Sequence, residues 1–210
     1  MKSSLFVVLA GVLMSLTTSC ANKPKEAAED TNQVIETIMA RRSIRQYKAE
    51  PVSREIMDQI VECGINAPNG QNKQSWEVRI VDDPALLAKM SDAMAEGHPK
   101  MEPAMVKGMF RGAPVMAFIA RDTKYDFATI DCGLLAENMM LSAWSLGVGS
   151  ICLGGPVRFL TDNEPCKPFV EMLGFSEGYE LCICVGFGYA DEAPDAKPRN
   201  KEKVKFIDAQ

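Results

Sequence analysis

Histidine occurs once in the 210 residues, at His98. A site built on several imidazoles is therefore excluded. None of the seven cysteines (Cys20, Cys63, Cys132, Cys152, Cys166, Cys182 and Cys184) forms a CxxC pair, and no metal-ligand spacing is present. Basic charge is also short: 23 Lys and Arg stand against 28 Asp and Glu, a formal net charge of −5. A nucleic-acid binder needs a basic face to neutralise phosphates, so that class is excluded. A local basic pocket for one small phosphorylated ligand is not. No internal repeat is visible, which excludes solenoids and propellers. The glycine-rich stretch Gly147 to Pro156 lacks the GxGxxG spacing of a dinucleotide fold.

What is there begins with a leader. Lys2 precedes an apolar run, Leu5 to Leu16, too short for an ordinary membrane span. Small and polar residues follow, up to Ser19-Cys20. This pattern predicts an export signal over residues 1–19. Its end resembles a bacterial lipoprotein signal, with Cys20 as the lipidated first mature residue, although Thr17 stands where that signal usually carries leucine. Residues 20–33 read as a solvated tether, and residues 34–210 as one domain with a sizeable core. The expected location is the cell envelope, on the periplasmic face or the surface, with the membrane met only through the lipid. The remaining cysteines read as buried free thiols. Cys182 and Cys184, two apart in an apparent strand, are expected to share a face.

Periodicity predicts helices over Val34 to Ala40, Ser53 to Ala67 (Ile56, Ile60 and Ile65 on one face), Asp83 to about Glu96, and Cys166 to Leu173. Trp76 to Val81, Pro114 to Ala120 and Glu180 to Tyr189 read as strands. Phe127 to Leu146 is apolar on nearly all sides, as a helix buried in the core or at a subunit interface would be. Gly97 to Arg111 has no clear period and reads as a mobile flap bearing Met101, Met105, Met109 and Phe110. The mixture lacks a βαβ rhythm, so the fold class is α+β.

Four segments carry candidate chemistry. Arg41-Arg42-Ser43-Ile44-Arg45 concentrates three guanidiniums and a hydroxyl, the donors that grip phosphate. Its plainer reading is a basic cluster complementing a helix end. Asn69-Gly70-Gln71-Asn72-Lys73-Gln74 crowds four side-chain amides, each with a donor beside an acceptor, which suits the edge of a flavin ring. A polar turn is the plainer alternative. Gly147 to Pro156 would let backbone lie against a flat ring, or is simply a loop. Lys197-Pro198-Arg199 is a second basic point, or a solvated tail.

In this order and spacing, over about Val34 to Phe206, the four segments resemble the nitroreductase family. The resemblance implies a central, mostly antiparallel sheet flanked by helices, in an intertwined homodimer. It implies FMN at the interface between subunits and an NAD(P)H-dependent reduction of nitro-aromatic or quinone-like acceptors, with no obligate acid or base side chain. Arg41, Ser43, Lys197 and Arg199 would hold the 5′-phosphate, Arg42 the phosphate and ribityl chain, and Arg45 the N1–C2=O edge. Asn69, Gly70, Gln71 and Asn72 would come from the partner subunit. Leu153 would pack on the ring, and the backbone at Gly154, with Gly155 beside it, would meet N5. Ser75 stands where the family often has proline, and Gly154 where some members have glutamate. Two alternatives remain open: a flavin-fragmenting or dehalogenating relative, and an exported FMN-binding lipoprotein that passes electrons to a protein partner.

Overall fold

The computed structural model describes residues 32–208. The expected leader 1–19, Cys20 and all but the last two residues of the expected tether lie outside them. The first helix, α1 (Gln33–Ala40), starts where Asn32 Oδ1 accepts the N–H groups of Val34 and Ile35 at 3.1 and 3.3 Å. This cap satisfies two of the four free donors at a helix start. None of the residues of α1 is buried.

Helix α2 (Arg54–Ile65) is capped by Ser53 Oγ, which accepts from the Ile56 N–H at 3.3 Å. Its buried stripe is Met57, Ile60 and Gly64, while Ile65 is exposed. The expected face through Ile65 is thus rotated. Gly64 sets the change: a Cβ there would stand 2.5 Å from Met139 Cγ. Only glycine lets α2 approach α5 (Ala128–Ser145) this closely. Next come β1 (Trp76–Val81) and α3 (Pro84–Glu96), which has Pro84 at its first position and Asp83 Oδ1 accepting from Ala85 N–H at 2.8 Å.

Residues 97–111, expected as a flap, instead contain α4 (Pro103–Lys107) and a 3-10 turn, Gly108–Phe110. Val106 and Phe110 are buried, and Phe110 packs edge-on against Phe118 at 5.9 Å. Burial of these two side chains holds the segment to the core. Strand β2 (Val115–Asp122) leads into α5, then β3 (Gly149–Leu153), α6 (Gly155–Thr161), α7 (Lys167–Leu173) and β4 (Tyr179–Gly188). Helix α6 takes in Gly155 and Pro156, the last two residues of the glycine-rich stretch. Pro156 near its start is compatible with helix, because the first-turn N–H groups need no intrahelical acceptor.

The four strands are ordered β1-β2-β4-β3, and every pair is antiparallel. Strand alternation divides the core between the two faces of the sheet. Met116 and Phe118 of β2 join the cluster formed with α3, α4, α6 and α7, and Val115, Ala117 and Ile119 join the cluster formed with α2 and α5. In β4 the register shifts opposite Ile119/Ala120, leaving Cys182 as an extra residue. The bulge breaks the two-residue period. Cys184 therefore belongs to the first cluster while Cys182 packs against the second, so the two thiols do not share a face. The thiols are not uniformly buried either: Cys63 and Cys152 are exposed. Among the described residues no helix is long and apolar enough to cross a membrane.

Candidate functional site

After α1 the chain turns extended at Arg41 and runs beside β3. Ser43 pairs with Ser150 in a parallel bridge, and Ile44 N–H donates to Ser150 O at 3.0 Å. Ile44 is buried, which in an extended segment turns Ser43 and Arg45 the other way. Tyr47 then pairs with Ala190, and Asp191 N–H donates to Gln46 O at 2.9 Å. The Tyr47 hydroxyl donates to Ile44 O at 2.8 Å; burial and the Glu192 carboxylate raise its pKa, so it stays a donor. These bonds carry the segment after β4 back across Arg41 to Arg45.

The result is a small cavity, about 120 Å³, lined by Arg41, Arg42, Ser43, Arg45, Pro194, Asp195, Lys197 and Arg199. Both basic motifs therefore meet, with Asp195 as the acid among them. Arg41 Nε is buried and makes no hydrogen bond. Its nearest acid, Glu137 Oε1, is 3.8 Å away, too far for one. A buried guanidinium donor without an acceptor is costly unless an anion completes it. Arg42 Nη1 donates to Met39 O and Arg41 O at 2.7 and 2.9 Å, so one arm of this residue caps α1, the plainer role. Arg45 Nη1 donates to Ser43 O at 3.0 Å, and its backbone N–H to the Glu192 carboxylate. Arg199 Nη1 donates to Lys197 O at 2.9 Å. Each of these guanidiniums keeps further N–H groups for a ligand.

The amide segment lies elsewhere. Asn69 Oδ1 accepts from Gln74 N–H at 2.9 Å and its Nδ2 donates to Ala67 O at 3.4 Å, so Asn69 closes its own loop. Gln71 and Asn72 are exposed. None of the residues Asn69 to Asn72 lines the cationic cavity. The chain thus keeps the cationic cavity and the amide loop apart, as two candidate half-sites.

At the end of β3, Leu153 is turned into the core with α3 and α6, and what it offers outward is its backbone. Gly154 and Gly155 are exposed, and a Cβ at Gly154 would meet nothing within 4 Å. Cys152, on the opposite face from Leu153, is a neighbour that motif reading missed. Although Cys152 is exposed, partial desolvation by the atoms packed beside the thiol and the Glu137 carboxylate raise its pKa, against the pull of Arg41. The period of β3 was the available signal, since Ser150 and Cys152 alternate with Ile151 and Leu153. Ser150 Oγ is also buried without a partner. A separate cavity of about 650 Å³ lies between Tyr47 to Val52 and α3, with Lys107 and Phe110 on its wall. It shares none of the cradle's cations.

Comparison with known proteins gives consistent matches. A model of the Nitroreductase family matches residues 38–189. The NADPH-flavin oxidoreductase of Vibrio harveyi is 28% identical over 175 residues, covering 80% of this chain and 70% of that one. The crystal structure of a nitroreductase with bound FMN from Desulfitobacterium hafniense DCB-2 is 31% identical with a TM-score of 0.76, covering 85% of this chain and 100% of that one. A second nitroreductase with bound FMN, from Bacteroides fragilis NCTC 9343, is 25% identical with a TM-score of 0.76 and the same coverage.

Proposed function

Because the chain belongs to the Nitroreductase family, we propose that it is an FMN-dependent oxidoreductase, taking hydride from NAD(P)H and reducing nitro-aromatic or quinone-like acceptors. The observation that carries this reading is the cavity that five cationic side chains, Arg41, Arg42, Arg45, Lys197 and Arg199, line together. Its donor set fits a phosphate monoester: guanidiniums for paired N–H contacts, the Lys197 ammonium and the Ser43 hydroxyl. Arg41, Ser43, Lys197 and Arg199 are assigned to the phosphate, and Arg42 and Arg45 to the chain and ring edge beyond it. The open backbone at Gly154, next to Gly155 and Leu153, is assigned to the flavin N5. Bound FMN supplies the redox chemistry; the chain binds, orients and tunes it.

The second half-site, Asn69 to Asn72, is assigned to the flavin held by a partner copy. A homodimer is supported by apolar surface that one chain leaves uncovered. Phe127 at the N-cap of α5, Ile130 and Leu134 within α5, and Val34 and Ile38 of α1 are all exposed. The tail residues Val204, Phe206 and Ile207 are exposed as well, as an arm laid on a partner would require. Charged side chains at the centre of such a seam disrupt it. Ile130→Glu combined with Leu134→Glu is expected to convert a dimer to a monomer in light scattering and to strip the flavin with it. A variant that stays dimeric would place the interface elsewhere.

The leader and Cys20 support placing the protein in the cell envelope as a lipoprotein. The deciding experiment is an anaerobic titration. The purified protein is expected to be yellow, and NADH or NADPH is expected to bleach it stoichiometrically. Bleaching by dithionite alone would favour electron transfer with a protein partner. A colourless chain that takes up no added FMN would overturn the reading.

A further inference from the structure

The amide loop is held in an unfavourable shape. Gln71, Asn72 and Gln74 all have positive φ, at 56°, 53° and 48°. L-residues rarely occupy that region, so three in four positions persist only where surrounding contacts impose them. The loop's internal bonds are Gln74 N–H to Asn69 Oδ1 at 2.9 Å, Lys73 N–H to Gly70 O at 3.0 Å and a long one, Asn72 N–H to Asn69 O at 3.4 Å. The strongest restraint comes from another element. Asp131, in the first turn of α5, is buried and accepts at both carboxylate oxygens. Oδ1 takes the Gly70 backbone N–H at 3.1 Å, and Oδ2 takes the Ser75 hydroxyl at 2.6 Å. Ser75 is buried too. The two bonds grip the loop at its start and its end, with the strained residues between them.

Tyr125 closes the same end of the loop. A Cβ at Gly70 would stand 1.9 Å from its hydroxyl, and Lys73 Nζ lies 4.6 Å from its ring centroid. A side chain at Gly70 would therefore have to displace the Tyr125 ring from this end of the loop.

We infer that Asp131, acting through Gly70 and Ser75, is a positioning residue that fixes Gln71 and Asn72 in the shape in which they meet the flavin ring. The inference rests on the assignment of the loop to the flavin under the proposed function. It also accounts for the serine at position 75, where the resemblance leads one to expect proline. Proline would restrain the loop's exit by its ring and disfavour a helical conformation, of either hand, at the preceding residue. Serine restrains the exit through its hydroxyl and leaves Gln74 free to adopt positive φ.

The test separates ring recognition from phosphate recognition. Affinities of the apoprotein for FMN and for riboflavin, which lacks the phosphate, are measured by flavin fluorescence at a temperature well below unfolding. Asp131→Ala is expected to weaken both by the same factor, about 30-fold, because the two lost bonds hold the loop and do not touch the flavin, so only part of their worth reaches the affinity. Ser75→Ala is expected to weaken both by about fivefold. Asp131→Asn keeps an acceptor for Gly70 N–H and is expected to restore most of the affinity lost in Asp131→Ala. Hydrogen exchange at the Gly70 amide should quicken in Asp131→Ala and not in Asp131→Asn. If Asp131→Ala proves too unstable to assay, Ser75→Ala carries the test alone. Unchanged affinities alongside a lower melting temperature would overturn the inference, and so would a loss confined to FMN. Failure of the unaltered protein to bind either flavin would overturn the proposed function itself, and this inference with it.

Discussion

Replacing Arg41, Lys197 and Arg199 together with alanine is expected to lower affinity for FMN about a thousandfold or more while leaving riboflavin affinity nearly unchanged. Each of the three lines the cationic cavity, and a hydrogen bond to a charged group contributes about 1.5–3 kcal/mol. One such bond is worth about tenfold in affinity or more, and three in one cavity reach the stated loss. Folding should not suffer with binding. Lys197 and Arg199 are exposed, and the cavity sets five cations against one lining acid, Asp195. Without phosphate those cations repel one another, so the triple variant's apoprotein should melt no earlier than the parent's. Saturating FMN should raise the melting temperature of the parent and not of the variant, since a ligand stabilises only the state it binds. Thermal melts with and without FMN, alongside titrations with both flavins, check each part. Equal loss of FMN and riboflavin affinity would show that the cavity does not hold the phosphate.

That the two basic motifs meet was expected only from the resemblance, but each motif was legible as a dense local signal, three Arg in five residues and a Lys-Pro-Arg. Regular elements with strong ends were legible for the same reason. Ser53 caps α2, Asp83-Pro84 opens α3, and Trp76 to Val81 alternates as β1. What was not legible depends on contacts between distant residues. Val106 and Phe110 turn residues 97–111 into packed helix only because the sheet offers them a core. The bulge at Cys182 follows from its register with β2, which no single strand encodes. The acids that meet these segments are Asp131 and Glu137 of α5 and Glu192 and Asp195 in the stretch Asp191 to Asp195. No spacing marks them, and their roles appear only when α5 and the C-terminal segment lie against the motifs. Asn69 has a local role that its residue type alone did not reveal. Its side chain matched the expected chemistry but is engaged in closing its own turn.

The arginine motif and the glycine motif were read as separate segments, yet they form one packed joint. Ile44, the apolar residue inside the arginine motif, is 1% exposed. A Cβ on Gly149, inside the glycine motif, would stand 2.8 Å from Ile44 Cγ1 and 3.1 Å from Gly188 O. The glycine therefore admits the isoleucine, and the isoleucine holds the extended cradle segment against β3 beside the bond from Ile44 N–H to Ser150 O at 3.0 Å. Ile44→Ala leaves a cavity in a close-packed site and is expected to destabilise the fold by about 2–5 kcal/mol. Gly149→Ala overpacks the same point at a cost of about 1–3 kcal/mol. Residues in contact do not add. In the double variant the new methyl takes part of the space the isoleucine vacated, so its loss should fall short of the sum of the singles by about 1 kcal/mol or more. Urea unfolding of the four apoproteins measures this coupling directly, and strict additivity would show that the two motifs do not bear on each other. Ile44→Ala should also weaken FMN binding without touching a ligand-facing group, because Ser43 and Arg45 reach the phosphate only while Ile44 anchors the backbone between them. FMN affinity in the double variant should then recover in step with stability, which a purely local defect at Gly149 would not produce.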